Sequence, residues 1–435
     1  MKQVLLDKIK SRQAVLGVVG LGYVGLPLAV EKAKAGYKTI GFDIQTQKVA
    51  MVNAGENYIG DIVPEDLKDV VNSGKLKATV NYSLIKDVDC VAICVPTPLD
   101  QYQQPDVSYV VNSSKEIAKY LHPGMLVILE STTYPGTTEE VVKPILEETG
   151  LKVGQDFYLA FSPERVDPGN KFYNTKNTPK VVGGITPDCT EVAAAMYENI
   201  LEGNVYRVSS PAVAEMEKIF ENIFRNINIG LANEMAILCD KMKIDVWEVI
   251  DAAKTKPYGF MAFYPGPGVG GHCIPIDPFY LTWKAREYNY HTRLIETAGE
   301  INNYMPEFVL ERSMKILNRF GKAMQGAKIL LLGVTYKQDI DDVRTSPALD
   351  VITCLESQGA DLVYHDPFVS KFTYKGKEYT SLELTEQTLN KADLVILTTM
   401  HSGFDYEWIA RHAKMVFDTK NAFKEVTARA NIERL

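Results

Sequence analysis

A cysteine that closes a run of glycines is a place to look for covalent chemistry. The segment Gly266-Pro267-Gly268-Val269-Gly270-Gly271-His272-Cys273-Ile274-Pro275-Ile276-Asp277-Pro278 puts four glycines in the seven positions before Cys273. Glycine reaches backbone angles closed to other residues and lets a strip follow a ligand closely. A thiol beside it can be a nucleophile, helped by a cation or by backbone N–H groups that favour the thiolate. His272 adjoins the cysteine, but sequence neighbours point their side chains apart. A role toward substrate or in support suits His272 better than that of the thiol's base. Asp277, four residues on, can activate water or steady a lysine. The other cysteines, Cys90, Cys94, Cys189, Cys239 and Cys354, form no CxxC pair and suggest neither a disulfide framework nor a zinc site. Cys90 and Cys94 read as core.

The elements that would position such a thiol begin with a nucleotide-binding turn. Residues 14–19 read as a buried strand, Gly20-Leu21-Gly22-Tyr23-Val24-Gly25 follows, a helical pattern runs to about Gly36, and 39–43 is the next strand. Gly20 permits the turn, Gly22 the approach of a pyrophosphate, and Gly25 close packing of helix on strand. The helix N-terminus offers free N–H groups and the positive end of its dipole to the phosphates. Asp43, 18 residues after Gly25, stands where an acid accepts the adenosine ribose hydroxyls and repels a 2′-phosphate, which favours NAD over NADP.

Further strands read at 89–95, 126–130 and 157–161, ending in Pro96-Thr97-Pro98, Ser131-Thr132-Thr133 and Ser162-Pro163-Glu164-Arg165. Ligands of open parallel sheets bind beyond the C-terminal ends of the strands, so Thr97, Thr132 and Glu164 are expected at one cleft. From Pro211 to about Lys241 the pattern is helical, with Ala214, Lys218, Asn222 and Arg225 on one face. That polar stripe is either solvated surface or the wall of an internal cleft, and the apolar character of the other faces leaves both readings open. A second long helical stretch is expected over 278–317, across Pro306. The strand–helix rhythm restarts at Gly326, with strands at 327–333, 361–365, 393–398 and 415–417, a helix from Ser346-Pro347, and no second GxGxxG.

A length of 435 residues suits two or three domains. The net charge of −8 argues against nucleic acid or an anionic membrane as partner, but not against an anionic small molecule in a local basic pocket. The charged start, Met1–Arg12, lacks a signal core, and no apolar stretch is long enough to span a membrane. A reducing, cytoplasmic setting is the expectation.

These segments, in this order, resemble the nucleotide-sugar 6-dehydrogenase family over nearly the whole chain. The resemblance rests on the Gly20–Gly25 turn, Val95-Pro96-Thr97-Pro98, Glu130-Ser131-Thr132-Thr133-Tyr134-Pro135-Gly136, Ser162-Pro163-Glu164-Arg165, Lys218 with Asn222, the Cys273 strip and Gly333-Val334-Thr335-Tyr336-Lys337. It implies an α/β fold of two Rossmann-like parallel-sheet domains joined by a long central helical region: an NAD-binding domain over 1–205, a helical and dimerising region with the cysteine strip over 206–318, and a UDP-sugar-binding domain over 319–435. It implies a homodimer that oxidises C6 of a UDP-sugar to the carboxylate with two NAD, in the synthesis of surface polysaccharide precursors.

Carried over by position, Cys273 is the nucleophile, with Lys218, Asn222, Asp277, Glu164 and Thr132 around the reacting carbon and the water. Gly20, Gly22, Tyr23, Val24, Gly25, Asp43, Pro96, Thr97, Thr132 and Arg344 fall to the cofactor. Glu164, Arg165, Lys218, Asn222, Arg225, Tyr258, Phe263, Gly270, His272, Tyr336, Lys337 and, more loosely, Lys420 fall to the substrate. His272, the Ile274-Pro275-Ile276-Asp277-Pro278 tail and Arg225 resemble the N-acetylhexosamine branch. Within it the resemblance puts UDP-N-acetylglucosamine first, UDP-N-acetylmannosamine and UDP-N-acetylgalactosamine as alternatives, and UDP-glucose behind them. A single-oxidation dehydrogenase has no use for Cys273, and an inactive nucleotide-sugar sensor has no need of the Cys273, Lys218 and Gly20 set.

Overall fold

The computed structural model describes residues 1–435 apart from Asp61, Gln101, Pro168, Lys171 and Ala428. The chain divides into two compact units, Met1–Glu221 with Phe279–Tyr290, and Asn222–Pro278 with His291–Leu435.

In the first unit, strands β1 (Val15–Val19), β2 (Lys38–Phe42), β3 (Leu76–Thr79), β4 (Cys90–Ile93), β5 (Leu126–Leu129), β6 (Tyr158–Phe161), β7 (Lys180–Gly184) and β8 (Val205–Val208) form one sheet in the order β3-β2-β1-β4-β5-β6-β7-β8. All neighbours are parallel except β6 and β7. The central strands are buried along their length, which is why they read as continuous apolar runs and not as alternating ones. Leu16, Val18, Ala92 and Ile128 serve one core, and Val19, Val91, Ile93 and Leu129 the other. Strand order reverses beside β1, so the crevice between the ends of β1 and β4 is where a doubly wound sheet takes its ligand.

In the second unit, β9 (Lys328–Leu332), β10 (Asp361–His365), β13 (Leu394–Leu397), β14 (Val416–Asp418) and β15 (Ile432–Arg434) make a parallel sheet in the order β10-β9-β13-β14-β15. An antiparallel hairpin pairs β11 (Lys371–Tyr374) with β12 (Lys377–Thr380). Helix Pro347–Ser357 starts as expected, with Pro347 in its first turn and the Ser346 Oγ accepting from the Ala348 N–H at 3.3 Å. The sheets are thus two Rossmann-like bodies, joined in sequence by helices Pro211–Met242, Val246–Ala253, Asp277–Ala285 and Arg293–Arg319. Among the described residues no helix is long and apolar enough to cross a membrane.

One reading of the sequence is corrected, and one left open is decided. The stretch 278–317 is not one helix. It breaks after Ala285 into a short 3-10 turn capped by Asn289 at φ +53°, and restarts at Arg293. Asparagine tolerates that left-handed angle, which the helical pattern conceals. Pro306, by contrast, sits inside helix Arg293–Arg319 without ending it. The long helix Pro211–Met242 has Lys218 and Asn222 buried, while Met216, Phe220 and Phe224 are exposed. Its polar stripe faces inward.

The charged start is itself structural. Helix Lys2–Lys10 buries Leu5, Leu6 and Ile9 in the first core, and the Tyr37 hydroxyl donates to the Ile9 carbonyl at 2.8 Å. Ile9 is fully buried, so Ile9→Ala removes core packing and leaves a cavity. The expected destabilisation is about 2–5 kcal/mol in urea unfolding of the whole chain. A change below about 0.5 kcal/mol would mean that this helix is not packed in solution.

Candidate active site

The turn after β1 has the geometry its glycines suggest. Gly20 sits at φ +90°, and a Cβ there would lie 2.5 Å from the Cys94 carbonyl oxygen. A Cβ at Gly25 would lie 1.8 Å from the Gly20 carbonyl oxygen, whereas one at Gly22 would meet nothing within 4 Å. The turn is closed from below and open above Gly22, the side a pyrophosphate needs. Val24 caps helix Gly25–Lys34 without a side-chain hydrogen bond, so no side chain competes for its first N–H groups. Asp43, buried at the end of β2, accepts from the Leu21 and Gln45 N–H groups, one on each carboxylate oxygen, both at 2.9 Å. Each oxygen keeps a lone pair for a ribose hydroxyl. These residues fit a dinucleotide.

The ends of β4, β5 and β6 are stitched to one another. The Val95 N–H donates to the Ser131 Oγ at 2.9 Å, and that hydroxyl donates to the Val95 carbonyl at 2.8 Å. The Thr97 hydroxyl donates to the Thr132 carbonyl at 2.7 Å, and the Tyr280 hydroxyl donates to the Thr97 carbonyl. Beyond this loop, Gly136 and Thr138 donate their N–H groups, and Thr138 its hydroxyl, to the carboxylate of Glu215 on the long helix. Burial pushes Glu215 up to about 7 against those three donors.

Glu164 has a more specific setting. Its Oε1 accepts from the Arg165 and Val166 N–H groups at 2.9 Å each, and its Oε2 lies 3.3 Å from Lys180 Nζ. Lys180 is buried and also reaches Glu130 at 2.7 Å, and the Tyr197 hydroxyl holds the other oxygen of Glu130. Burial alone would raise the Glu164 pKa, but Lys180, the two N–H groups and Lys218 carry it below the ordinary carboxylate value. Glu164 is therefore held in place and favoured as the carboxylate. Arg165 points elsewhere. It pairs with Glu221 and, at 3.4 Å, with Glu217, and donates to the Pro179 carbonyl at 3.1 Å.

In the second unit, the glycine strip is packed on its own chain. A Cβ at Gly270 would come within 2.6 Å of Pro347 and 2.8 Å of Tyr336, and one at Gly266 within 2.6 Å of Lys420 Nζ. Gly268 and Gly271 have positive φ, and a Cβ at Gly271 would meet the Tyr336 ring at 3.3 Å. The missing side chains make room for the loops after β9 and β14. Cys273 is half-buried, whereas Cys90, Cys94, Cys189 and Cys239 are buried. Burial pushes Cys90 up to about 12 and Cys354, the other half-buried thiol, up to about 11.

After Cys273 the chain turns at once into helix Asp277–Ala285, and the Cys273 carbonyl accepts from the Ile276 and Asp277 N–H groups at 3.0 and 2.8 Å. The Asn222 Nδ2 donates to Asp277, and Arg225 donates to the Asn222 Oδ1. Asn222, Arg225 and Asp277 thus form one hydrogen-bonded row four residues from the thiol. His272 lies 3.4 Å from Asp342 and edge-on to the Tyr336 ring at 5.6 Å. Burial and the charge of Arg344 lower its pKa. Asp342 also takes a two-pronged bond from Arg344, 2.9 Å on each prong.

Lys337 stands on the loop after β9, where the Thr335 hydroxyl donates to its carbonyl at 2.7 Å. Burial lowers Lys420 to about 8. Phe263 packs on Phe224 at 5.8 Å, while Tyr258 is 73% exposed. Lys180, Glu130, Glu215 and Asp342 were not singled out from the sequence. Glu130 opens a quoted motif without a role of its own, and the partners that give Glu130, Lys180 and Glu215 their settings lie 16 to 79 residues away along the chain.

Models of one family match three successive parts of the chain: the NAD binding domain of the UDP-glucose/GDP-mannose dehydrogenase family over residues 14–201, its central domain over 212–304, and its UDP binding domain over 330–425. A UDP-N-acetyl-D-mannosamine dehydrogenase of Campylobacter jejuni is 38% identical over 399 residues, covering 89% of this chain and 95% of that one. A UDP-N-acetyl-D-glucosamine 6-dehydrogenase of Pseudomonas aeruginosa is 37% identical over 390 residues, covering 89% and 91%. The solved structure of a UDP-D-ManNAc dehydrogenase from Pyrococcus horikoshii superposes with a TM-score of 0.88 at 33% identity, covering 97% of this chain and 98% of that one. On these matches, and with a turn after β1 built for a dinucleotide, the chain belongs to the UDP-glucose/GDP-mannose dehydrogenase family and is an NAD-dependent dehydrogenase.

Proposed function

We propose that this chain oxidises C6 of a UDP-N-acetylhexosamine from alcohol to carboxylate, with Cys273 carrying the carbon between the two oxidations. The observation that carries this reading is the half-buried Cys273, held four residues before an Asp277 that Asn222 grips. NAD, which the Gly20–Gly25 turn and Asp43 would hold, would supply the hydride acceptor for both oxidations. In the first, the hydroxyl proton passes through water to Asp277 while Lys218 and Asn222 stabilise the oxygen as the alcohol becomes an aldehyde. An aldehyde hydrogen leaves as hydride only from a tetrahedral carbon, so the Cys273 thiolate adds to C6 and gives a thiohemiacetal. Its oxidation, with loss of the hydroxyl proton, leaves a thioester. Water, deprotonated by Glu164 and oriented by Thr132, adds to the thioester carbonyl, and the Cys273 thiolate departs from the acid.

The remaining site residues take roles by position. Lys337, Lys420, Tyr336 and His272 serve the nucleotide-sugar, and Arg225 a charged contact on the same helical face as Lys218. The engagement of Arg165 with Glu221 and Glu217 suits it to bracing the Glu164 loop more than to binding sugar. The sequence resemblance put N-acetylglucosamine first. Similarity to enzymes named for mannosamine, in sequence and in structure, supports the alternative better, so UDP-N-acetylmannosamine is the preferred substrate proposed here. The exposed apolar face of the long helix, with Phe220 at 67% and Leu231 at 55%, is proposed to be covered in a homodimer.

Purified enzyme with limiting UDP-N-acetylmannosamine is expected to release two NADH per sugar and to leave no free aldehyde. Cys273→Ser is expected to lose at least a thousandfold in kcat. One NADH per sugar would identify a single-oxidation dehydrogenase instead. Compared across the UDP-linked N-acetyl derivatives of mannose, glucose and galactose and UDP-glucose, kcat/KM is expected to be highest for mannosamine, and a higher value for UDP-glucose would overturn the N-acetyl assignment.

The Glu164 setting adds a pH prediction. Its pKa is depressed, so it stays ionised to lower pH than an ordinary carboxylate, and the acid limb of the kcat profile should lie correspondingly low. Lys180→Met removes the cation and raises the Glu164 pKa, so the acid limb of the kcat profile should move to higher pH. An unmoved limb would show that Glu164 is not the base for hydrolysis.

A further inference from the structure

The glycine strip that carries Cys273 is gripped at both ends by asparagines of the long helix Pro211–Met242, and a third asparagine on helix Arg293–Arg319 braces them. The Gly266 N–H donates to the Asn233 Oδ1 at 3.0 Å. The Asn233 Nδ2 donates to the Asn302 Oδ1 at 2.9 Å, and the Asn302 Nδ2 donates to the Asn226 carbonyl at 3.1 Å. At the far end, the Asn226 Nδ2 donates to the Ile274 carbonyl, next to Cys273, at 3.2 Å. Asn226, Asn233 and Asn302 are all at most 3% exposed.

The direction of every amide in this chain is set by its neighbours. A backbone N–H at Gly266 requires the Asn233 oxygen. That turns the Asn233 nitrogen to Asn302, whose own nitrogen must then face a backbone carbonyl. Asn226 and Asn233 are seven residues apart, two turns or roughly 10 Å along the long helix. Between them Gly230 lets helix Arg293–Arg319 come close. A Cβ at Gly230 would stand 3.1 Å from the Ala298 Cβ, and this approach brings Asn302 within reach. Asn226 is buried with its Oδ1 unbonded among the described residues, which costs about 1–3 kcal/mol that an apolar residue would not incur.

We infer that Asn226 and Asn233, braced by Asn302, are positioning residues that clamp the Cys273 strip to the long helix and hold the thiol in register for addition to C6. The inference rests on the covalent role proposed for Cys273. Glycine gives the strip no side chains of its own to fix it, and a misplacement of about 1 Å can cost on the order of a hundredfold in rate. Asn226 and Asn233 act on the strip through its backbone, at Ile274 and Gly266, and Asn302 acts through them.

The test uses the full chain with Asn226→Ala, Asn302→Ala, the double variant and the near-isosteric Asn302→Asp. The rate of NADH release is expressed per NAD-binding site, which counts folded molecules in the first unit. Each single variant is expected to lower kcat at least tenfold, with the KM for NAD within twofold of wild type. Alkylation of Cys273 by iodoacetamide, followed by peptide mapping, is expected to change at least threefold in rate. The double variant should fall further than either single, because the Asn226 side chain holds the strip at Ile274 while Asn302 supports Asn233 at Gly266, and Asn226→Ala keeps the backbone carbonyl that Asn302 bonds.

A purely structural role predicts fewer NAD-binding sites and a lower Tm with kcat per site and alkylation unchanged, and that result overturns the clamp. Should the alanine variants not fold, Asn302→Asp decides by the same two readouts. Failure of the covalent reading is seen separately, as one NADH per sugar in the wild type.

Discussion

Everything proposed for this enzyme depends on a backbone hydrogen-bonding constraint around one thiol. A segment with glycine at 266, 268, 270 and 271 has little side-chain surface of its own, so its position is set by what its N–H and carbonyl groups meet. Those partners are the Ile276 and Asp277 N–H groups, on the Cys273 carbonyl, together with two buried amides of the long helix. The glycines then have a second use. They let the loop bearing Tyr336 and Lys337 and the side chain of Lys420 press against the strip where any Cβ would intrude. One bare segment thus meets, within the second unit, the residues proposed to hold the nucleotide-sugar and those that hold the nucleophile.

The first unit solves a different problem, that of keeping a carboxylate charged where water is scarce. Glu164 alone would protonate on burial. Lys180 opposes this, but a buried lysine has its own desolvation penalty, which Glu130 and Glu164 offset together. Tyr197 completes the set by bonding Glu130. The row Tyr197, Glu130, Lys180, Glu164 runs from a helix under the sheet to the strand ends. Its charges compensate in sequence, so Glu164 is ionised and also fixed in direction by two backbone N–H groups.

Much of this was legible in the sequence because the informative residues carry local signatures. The Gly20 turn, the apolar strand cores and their polar ends at Thr97, Thr132 and Glu164 are short-range patterns, and the chain places them as read. The Lys218 and Asn222 stripe was ambiguous between solvent and interior, and burial resolved it inward. What the sequence concealed depends on distant partners or on single backbone angles. Asn289 adopts a left-handed angle that breaks an otherwise helical pattern. The first ten residues look like a charged tail until Leu5, Leu6 and Ile9 are seen to share one face. Asn226, Asn233 and Asn302 carry no local signature of a shared role, since the closeness of Gly230 to Ala298 that joins them lies 68 residues apart in the chain. The glycine strip was legible, but its close approach to Pro347, Tyr336 and Lys420 was not, because those neighbours come from distant segments.

The central claim is a covalent bond from Cys273 to C6 of the sugar. Intact-protein mass spectrometry of a Glu164→Gln variant, quenched in acid after mixing with NAD and UDP-N-acetylmannosamine, tests it most directly. Slowed hydrolysis should leave the thioester in place, seen as the mass of the UDP-sugar acyl group on the protein and mapped by peptide to Cys273. An unmodified protein after turnover, or an adduct on any other residue, would contradict the account.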